Sequence, residues 1–213
     1  GAFSSPDEIL GRESLNGLFP DTEYGVESGG NPDFIPTLSY EDFKNFHKKY
    51  YHPSNSYIII YGNADMKERL AWLDKEYLSA FDAIKIDSEL HVQKPFEKMI
   101  EKEVEYPVSA QQGLENKTYI SYNVAMPAGV SVVESWGLNI VTQVLLEAAG
   151  APLKEALLKE KIGEVINGSY ESSILQPVLG ISADNANVSD KDRFVLTIEK
   201  NLKEIIEKKI DRK

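Results

Sequence analysis

Three histidines, His47, His52 and His91, are the side chains best suited to hold a metal or move a proton near neutral pH. A helical metal pair needs imidazoles three or four residues apart, so that both leave the same face. His47 and His52 are five apart, about 140° around an ideal helix, and Pro53 pushes His52 out of helical backbone. Neither His-Glu-x-x-His nor His-x-x-Glu-His occurs. No metal site is expected from them; His47 should lie on the flank of a packed helix and His91 in solvent.

Two acidic patterns also bear on chemistry. Glu101, Glu103 and Glu105 alternate, and alternate strand positions point the same way, so a hard-cation or acid/base site is conceivable. The simpler reading is a solvated face. Asp184-Asn185-Ala186-Asn187-Val188-Ser189-Asp190 loosely resembles a calcium loop but lacks the alternation of ligands and the central glycine. A strand end followed by a helix cap explains it better. The absence of cysteine excludes disulfides, thiolate metal sites and a cysteine nucleophile. No Gly-x-Ser-x-Gly elbow, phosphate loop or dinucleotide fingerprint occurs. The expected set of catalytic, cofactor-binding and metal-ligating residues is therefore empty.

The elements that would position such groups follow from periodicity. Ser5–Phe19 reads as a helix, with Pro6 in its first turn and Asp7-Glu8 at its positive dipole end. Gly29-Gly30-Asn31-Pro32 is a turn. Ser39 and Asp42 form a capping box for a helix whose Tyr40, Phe43, Phe46 and Tyr50 should be one buried stripe. The run Ser56–Gly62 predicts a strand covered on both faces, followed by a helix over Met66–Phe81. Residues 82–95 carry no sustained period and read as a linker. Strands are expected at Lys98–Tyr106, Thr118–Met126, Glu164–Ser172 and Val178–Ala186. Helices are expected at Ser131–Ala149, from Pro152 to about Lys161, and from Ser189 with Asp192 as its capping acid. This order is α+β, an antiparallel sheet with packed helices.

Composition narrows the function. With 213 residues, 42% hydrophobic and 27% charged, the chain has enough apolar surface for a core. A net charge of −11 with interleaved lysines argues against nucleic acid. The runs Lys48-Lys49 and Lys208-Lys209 read as solvated helix faces. No apolar stretch reaches the ~20 residues of a membrane span. The N-terminal residues lack the basic start and apolar run of a signal peptide, which makes an internal piece of a larger protein the expectation.

Several motifs carry a resemblance. Gly-Ala-Phe-Ser-Ser-Pro-Asp-Glu at 1–8, Leu-Phe-Pro-Asp-Thr-Glu-Tyr-Gly-Val-Glu-Ser-Gly-Gly-Asn-Pro at 18–32 and Ile-Pro-Thr-Leu-Ser at 35–39 resemble the presequence-protease branch of the pitrilysin/insulinase family of zinc peptidases. So do Phe-His-Lys-Lys-Tyr-Tyr-His-Pro-Ser-Asn-Ser at 46–56 and Tyr-Gly-Asn-Ala-Asp at 61–65. The 151–160 segment, Ala-Pro-Leu-Lys-Glu-Ala-Leu-Leu-Lys-Glu, is similar to a family helix.

The resemblance implies pieces of two homologous peptidase domains: 1–81 closing the first, 82–95 a linker, and 96–213 opening a second, non-catalytic domain. It implies a zinc-dependent endopeptidase for short unfolded peptides, with the zinc-holding His-x-x-Glu-His helix and a further glutamate upstream of Gly1. On this reading zinc belongs to the intact parent enzyme and none is expected on this piece, which is inactive alone. Its partners are peptide substrate, through the parent, and the remaining domains of the same polypeptide, with neither nucleic acid nor membrane. The alternative is a non-catalytic scaffold or binding subunit of the same family. A bacterial cytoplasm suits the composition, with an organelle or secretion left open.

Overall fold

The computed structural model describes residues 3–109, 111 and 113–208; Gly1, Ala2, Gln112 and Lys209 of the segments above lie outside them. The chain divides into two compact units, one formed by Gly1–Val26 with His91–Lys213 and the other by Glu27–Leu90.

The first unit contains an antiparallel sheet of three strands, β1 (Thr118–Ala125), β2 (Val165–Glu171) and β3 (Val178–Ala186), in the order β1-β3-β2. Register decides what each face carries. Ile120 and Ile166 both align with Ala183, and Tyr122 and Gly168 both align with Ile181. Because side chains alternate, these residues share one face. Helices α5 (Pro152–Lys159) and α6 (Lys191–Lys208), with the turn that ends α4 (Val132–Thr142), supply the rest of the core. Leu146, Leu153, Leu157, Ile162, Ile166, Phe194 and Ile198 are its large fully buried side chains.

Local chemistry explains the boundaries. Ser131 and Glu134 form a reciprocal capping box at the start of α4. The helix then widens into a π-helical turn, Gln143–Glu147, which presents Leu145 and Leu146 to the core. A Cβ on Gly168 would sit 2.6 Å from the Leu146 side chain, so only glycine lets the π turn approach β2. Gly150 has φ +75° and Pro152 stands at the first position of α5. At the head of α6 the box is Asn187 with Asp190, leading through a short 3₁₀ turn. It lies two residues earlier than the Ser189/Asp192 pair expected, because Asp190 rather than Asp192 reaches back to the Asn187 N–H, at 2.9 Å.

Helix α1 (Pro6–Leu18) belongs to this unit, with Ile9 and Phe19 buried. The segment Lys98–Tyr106 forms no ladder; it is held by side chains instead. Lys102 reaches Glu13 at 2.5 Å and Asn16 at 2.6 Å, and Tyr106 donates to the Lys117 carbonyl.

The second unit holds α2 (Tyr40–Tyr50) and α3 (Met66–Glu76). The Ser39–Asp42 capping box is present, and Asp65 caps α3 by accepting from Lys67 and Glu68 N–H. Three expectations differ from what is observed. No residue of 27–90 is buried, and the α2 stripe is open, with Tyr40, Phe43 and Phe46 all exposed. Residues 56–61 form no strand and pair with no other segment. Periodicity marks which face wants cover; it cannot guarantee that the covering layer lies within the same 213 residues. The compact units also differ in bounds from 1–81, 82–95 and 96–213, since compactness and shared ancestry are separate properties of a chain.

Candidate functional site

The sheet face opposite the core is polar. Ser121 aligns with Ser182, Asn123 with Gly180, Asn167 with Ser182 and Ser169 with Gly180. Alternation places Ser121, Asn123, Asn167, Ser169, Ser182 and Asp184 on that one face. Helix α1 is tied to it through Ser14, whose hydroxyl lies 3.1 Å from Ser121 Oγ and accepts from Asn123 Nδ2 at 3.1 Å. Glu171, aligned with Val178, lies on the same face, and Asp184 is the carboxylate bonded within this row. Burial, and then the nearby charge of Asp7, push it above the usual carboxylate range, while bonds from Asn167 and Ser182 pull part of the way back. Its Oδ2 accepts from Asn167 Nδ2 at 3.0 Å. Hydroxyls and amides in such a row bond one another and seat a helix. Activating a serine would require a base poised against it, and the bonds recorded here run to Asn, Ser and Asp.

A second polar cluster joins three loops of the same unit. Gln93 and Asp21 exchange two bonds: Asp21 N–H to Gln93 Oε1 at 3.0 Å, and Gln93 Nε2 to Asp21 Oδ2 at 2.8 Å. Gln93 N–H donates to Gln176 Oε1 at 2.6 Å. Leu175 N–H reaches the Tyr24 hydroxyl at 3.1 Å. Gln93 and Gln176 are both buried, a position amides occupy only when satisfied. Beside them Glu23 accepts from His91 N–H at 3.1 Å and lies 2.6 Å from His91 Nδ1. The His91 hydrogen bond, followed by backbone N–H donors, lowers Glu23 to about 2. Sequence reading missed this cluster because Gln93 sits in an aperiodic stretch and glutamine carries no motif.

The sequence candidates are found apart from one another and engaged. His47 stacks on Tyr51 with ring centres 4.6 Å apart. His52 Nδ1 accepts from Ser54 N–H at 3.1 Å, and its ring meets Phe81 edge-on. His91 is exposed, as expected, and is paired there with Glu23. Glu101 bonds Lys191 at 2.9 Å, and that bond lowers its pKa; Glu103 adds to the field at Lys191. Asp190 is buried, which by itself would raise it. The Asn187 N–H and the Arg193 guanidinium outweigh burial and hold it below the usual range. With Asp184 on Asn167 and Asp190 on Asn187 and Arg193, the 184–190 run is a strand end and a cap.

Among the described residues no three His, Asp or Glu side chains are grouped so as to hold a metal ion. Each histidine has an aromatic or hydrogen-bonding partner of its own, so this donor set does not fit a zinc centre, and no chemical step is assigned through one.

Residues 37–213 match the family model described as the Peptidase M16 inactive domain. The chain is 39% identical over 212 residues to Protein HypA of Clostridium perfringens, covering all of this chain and 22% of that protein. It is 33% identical over 215 residues to presequence protease 1, chloroplastic/mitochondrial, of Arabidopsis thaliana, covering 99% of this chain and 20% of that protein. The chain thus spans about a fifth of these relatives. In fold it is similar to an M16-like peptidase of Alicyclobacillus acidocaldarius, with TM-score 0.57 and 17% identity over 99% of this chain and 49% of that one.

Proposed function

The chain belongs to the M16 peptidase family, and from that premise we propose that it is a structural segment of a zinc-dependent endopeptidase acting on short unfolded peptides, itself carrying no zinc ligand and no catalytic residue. The observation that carries this reading is the alignment of the whole chain, at 33% identity, to one fifth of a presequence protease, combined with a match to the family's inactive domain. The chemistry fits: among the described residues the polar clusters serve as caps, helix seating and loop clasps. Residues 1–81 then close a first peptidase domain and support its metal-bearing helices from behind, 82–95 link, and 96–213 open a second domain that walls the substrate chamber. Zinc and peptide belong to the intact parent. No helix among the described residues is long and apolar enough to cross a membrane; a bacterial cytoplasm is the proposed location, with a Clostridium relative in support.

The experiment compares the 213-residue chain with the longer polypeptide containing it, using a quenched fluorescent peptide with and without chelator. The longer protein should cleave the peptide and lose activity on chelation, and the chain should cleave nothing. Cleavage by the chain alone would contradict the proposal.

A second reading is favoured by the same inactive-domain match: a non-catalytic scaffold or binding subunit. A parent reading frame with no His-x-x-Glu-His upstream of Gly1 would decide for it.

A further inference from the structure

Antiparallel pairing fixes which backbone groups of β2 point out of the sheet. The Met126 N–H donates to the Pro177 carbonyl at 2.7 Å, continuing the β1–β3 ladder. Alternate residues of β3, Leu179, Ile181 and Ala183, therefore bond β1, and the residues between them, Gly180 and Ser182, bond β2. Their β2 partners are Ser169 and Asn167. The N–H and C=O groups of Ile166, Gly168 and Tyr170 thus face away from β3, and β2 is an outer strand of the sheet. One of these outward groups is occupied: the Gly168 N–H donates to Glu147 Oε1 at 2.8 Å. Among the described residues, no other outward N–H or C=O of Ile166, Gly168 or Tyr170 takes part in a hydrogen bond. The π turn arranges this, setting Leu146 on the core side of Gly168 and its neighbour Glu147 at the edge.

We propose that Glu147 guards this edge: its carboxylate stands where a partner strand would bond and keeps a second copy of the chain from pairing β2 to β2. A second copy is the occupant the edge would otherwise take, because a strand paired antiparallel with its own copy closes a two-fold dimer. Centred on Gly168, that pairing sets Ile166 opposite Tyr170, Asn167 opposite Ser169 and Val165 opposite Glu171, with no like charges facing. The strand has neither proline nor lysine, and its register with β3 is unbroken. The usual means of blunting an edge are therefore missing from β2 itself. A pairing strand must displace both copies' Glu147 from Gly168, which brings two carboxylates to the middle of the new seam. The net charge of −11 on each copy adds a longer-range repulsion that salt screens.

Two measurements on the 213-residue chain test the guard, in salt high enough to screen the net charge. The first is hydrogen exchange read by NMR in the wild type, each amide compared with its free-peptide rate. Gly168 should be slower than Ile166 and Tyr170 by about tenfold or more, as a hydrogen bond to a charged acceptor supplies. Equal protection of the three would overturn the proposal. The second is sedimentation of two variants against the wild type. Glu147→Ala should move toward the mass of two chains as concentration rises, with the Ile166 and Tyr170 amides gaining protection in step. Glu147→Gln keeps an acceptor without the charge and should sediment as the wild type does. An Ala variant that associates no more than the wild type overturns the guard. Equal association of both variants also overturns it, since charge alone would then keep the copies apart. Association that leaves the Ile166 and Tyr170 amides unchanged places the contact on another surface and does the same. If the Ala variant does not fold, the wild-type exchange rates still decide.

Discussion

At the scale of single residues, two carboxylates sit in opposite situations and should respond oppositely to pH. Glu23 is depressed to about 2 from an ordinary 4.5 by the His91 bond. A depressed carboxylate contributes stability that is complete above the unfolded value and is lost as pH falls through the folded one. Glu23→Gln should therefore flatten the acid limb of a melting-temperature profile between pH 4.5 and 2. The effect should be small, since the pair is open to solvent. Asp184 is raised, chiefly by burial. Its charge costs stability at neutral pH, and the cost disappears on acidification below its unfolded value. Asp184→Asn should thus hold or slightly raise the melting temperature at pH 7, the gain kept small by solvent screening, while losing that advantage in acid. A melting temperature lowered by several degrees at pH 7 would contradict the assignment. Gln93→Ala strands the Gln176 and Asp21 partners and should cost about 1–3 kcal/mol, read as a lower midpoint in urea. Of the three only Asp184 was marked by sequence, as the head of the 184–190 run, and neither Glu23 nor Gln93 was. Their importance comes from long-range partners 68–83 positions away in the case of Glu23 and Gln93, and no local spacing records such partners.

Secondary structure was far more legible, because its causes are local. The Ser39–Asp42 and Ser131–Glu134 boxes start their helices, Gly150 and Pro152 separate two more, and β3 spans the residues that alternation marks. What stayed hidden was pairing and cover. Ser56–Gly62 and Lys98–Tyr106 have strand composition, yet neither forms a ladder, since a ladder needs a partner that composition cannot name. The approach of Leu146 to Gly168 was likewise invisible, because it depends on a π turn widening the helix opposite. Gly168→Val should drive that helix off the sheet and cost about 1–3 kcal/mol or more, whereas Ser39→Ala should cost only about 1 kcal/mol. Urea titrations of the two variants measure the difference.

On the scale of the molecule, burial is concentrated in one unit. Every fully buried apolar side chain lies in the Gly1–Val26 and His91–Lys213 unit, and none lies in Glu27–Leu90. Segments with few buried contacts open at low free energy, so brief proteolysis should nick the chain first within 27–90 and leave the β-sheet unit whole. Family membership is what makes this imbalance intelligible. The claim at the centre of the account is that the chain is a supporting piece of a zinc peptidase and holds none of the ligands. Elemental analysis of the purified chain after growth with added zinc tests this most directly. The account predicts well under one zinc per chain after dialysis; one tightly held zinc per chain would contradict it.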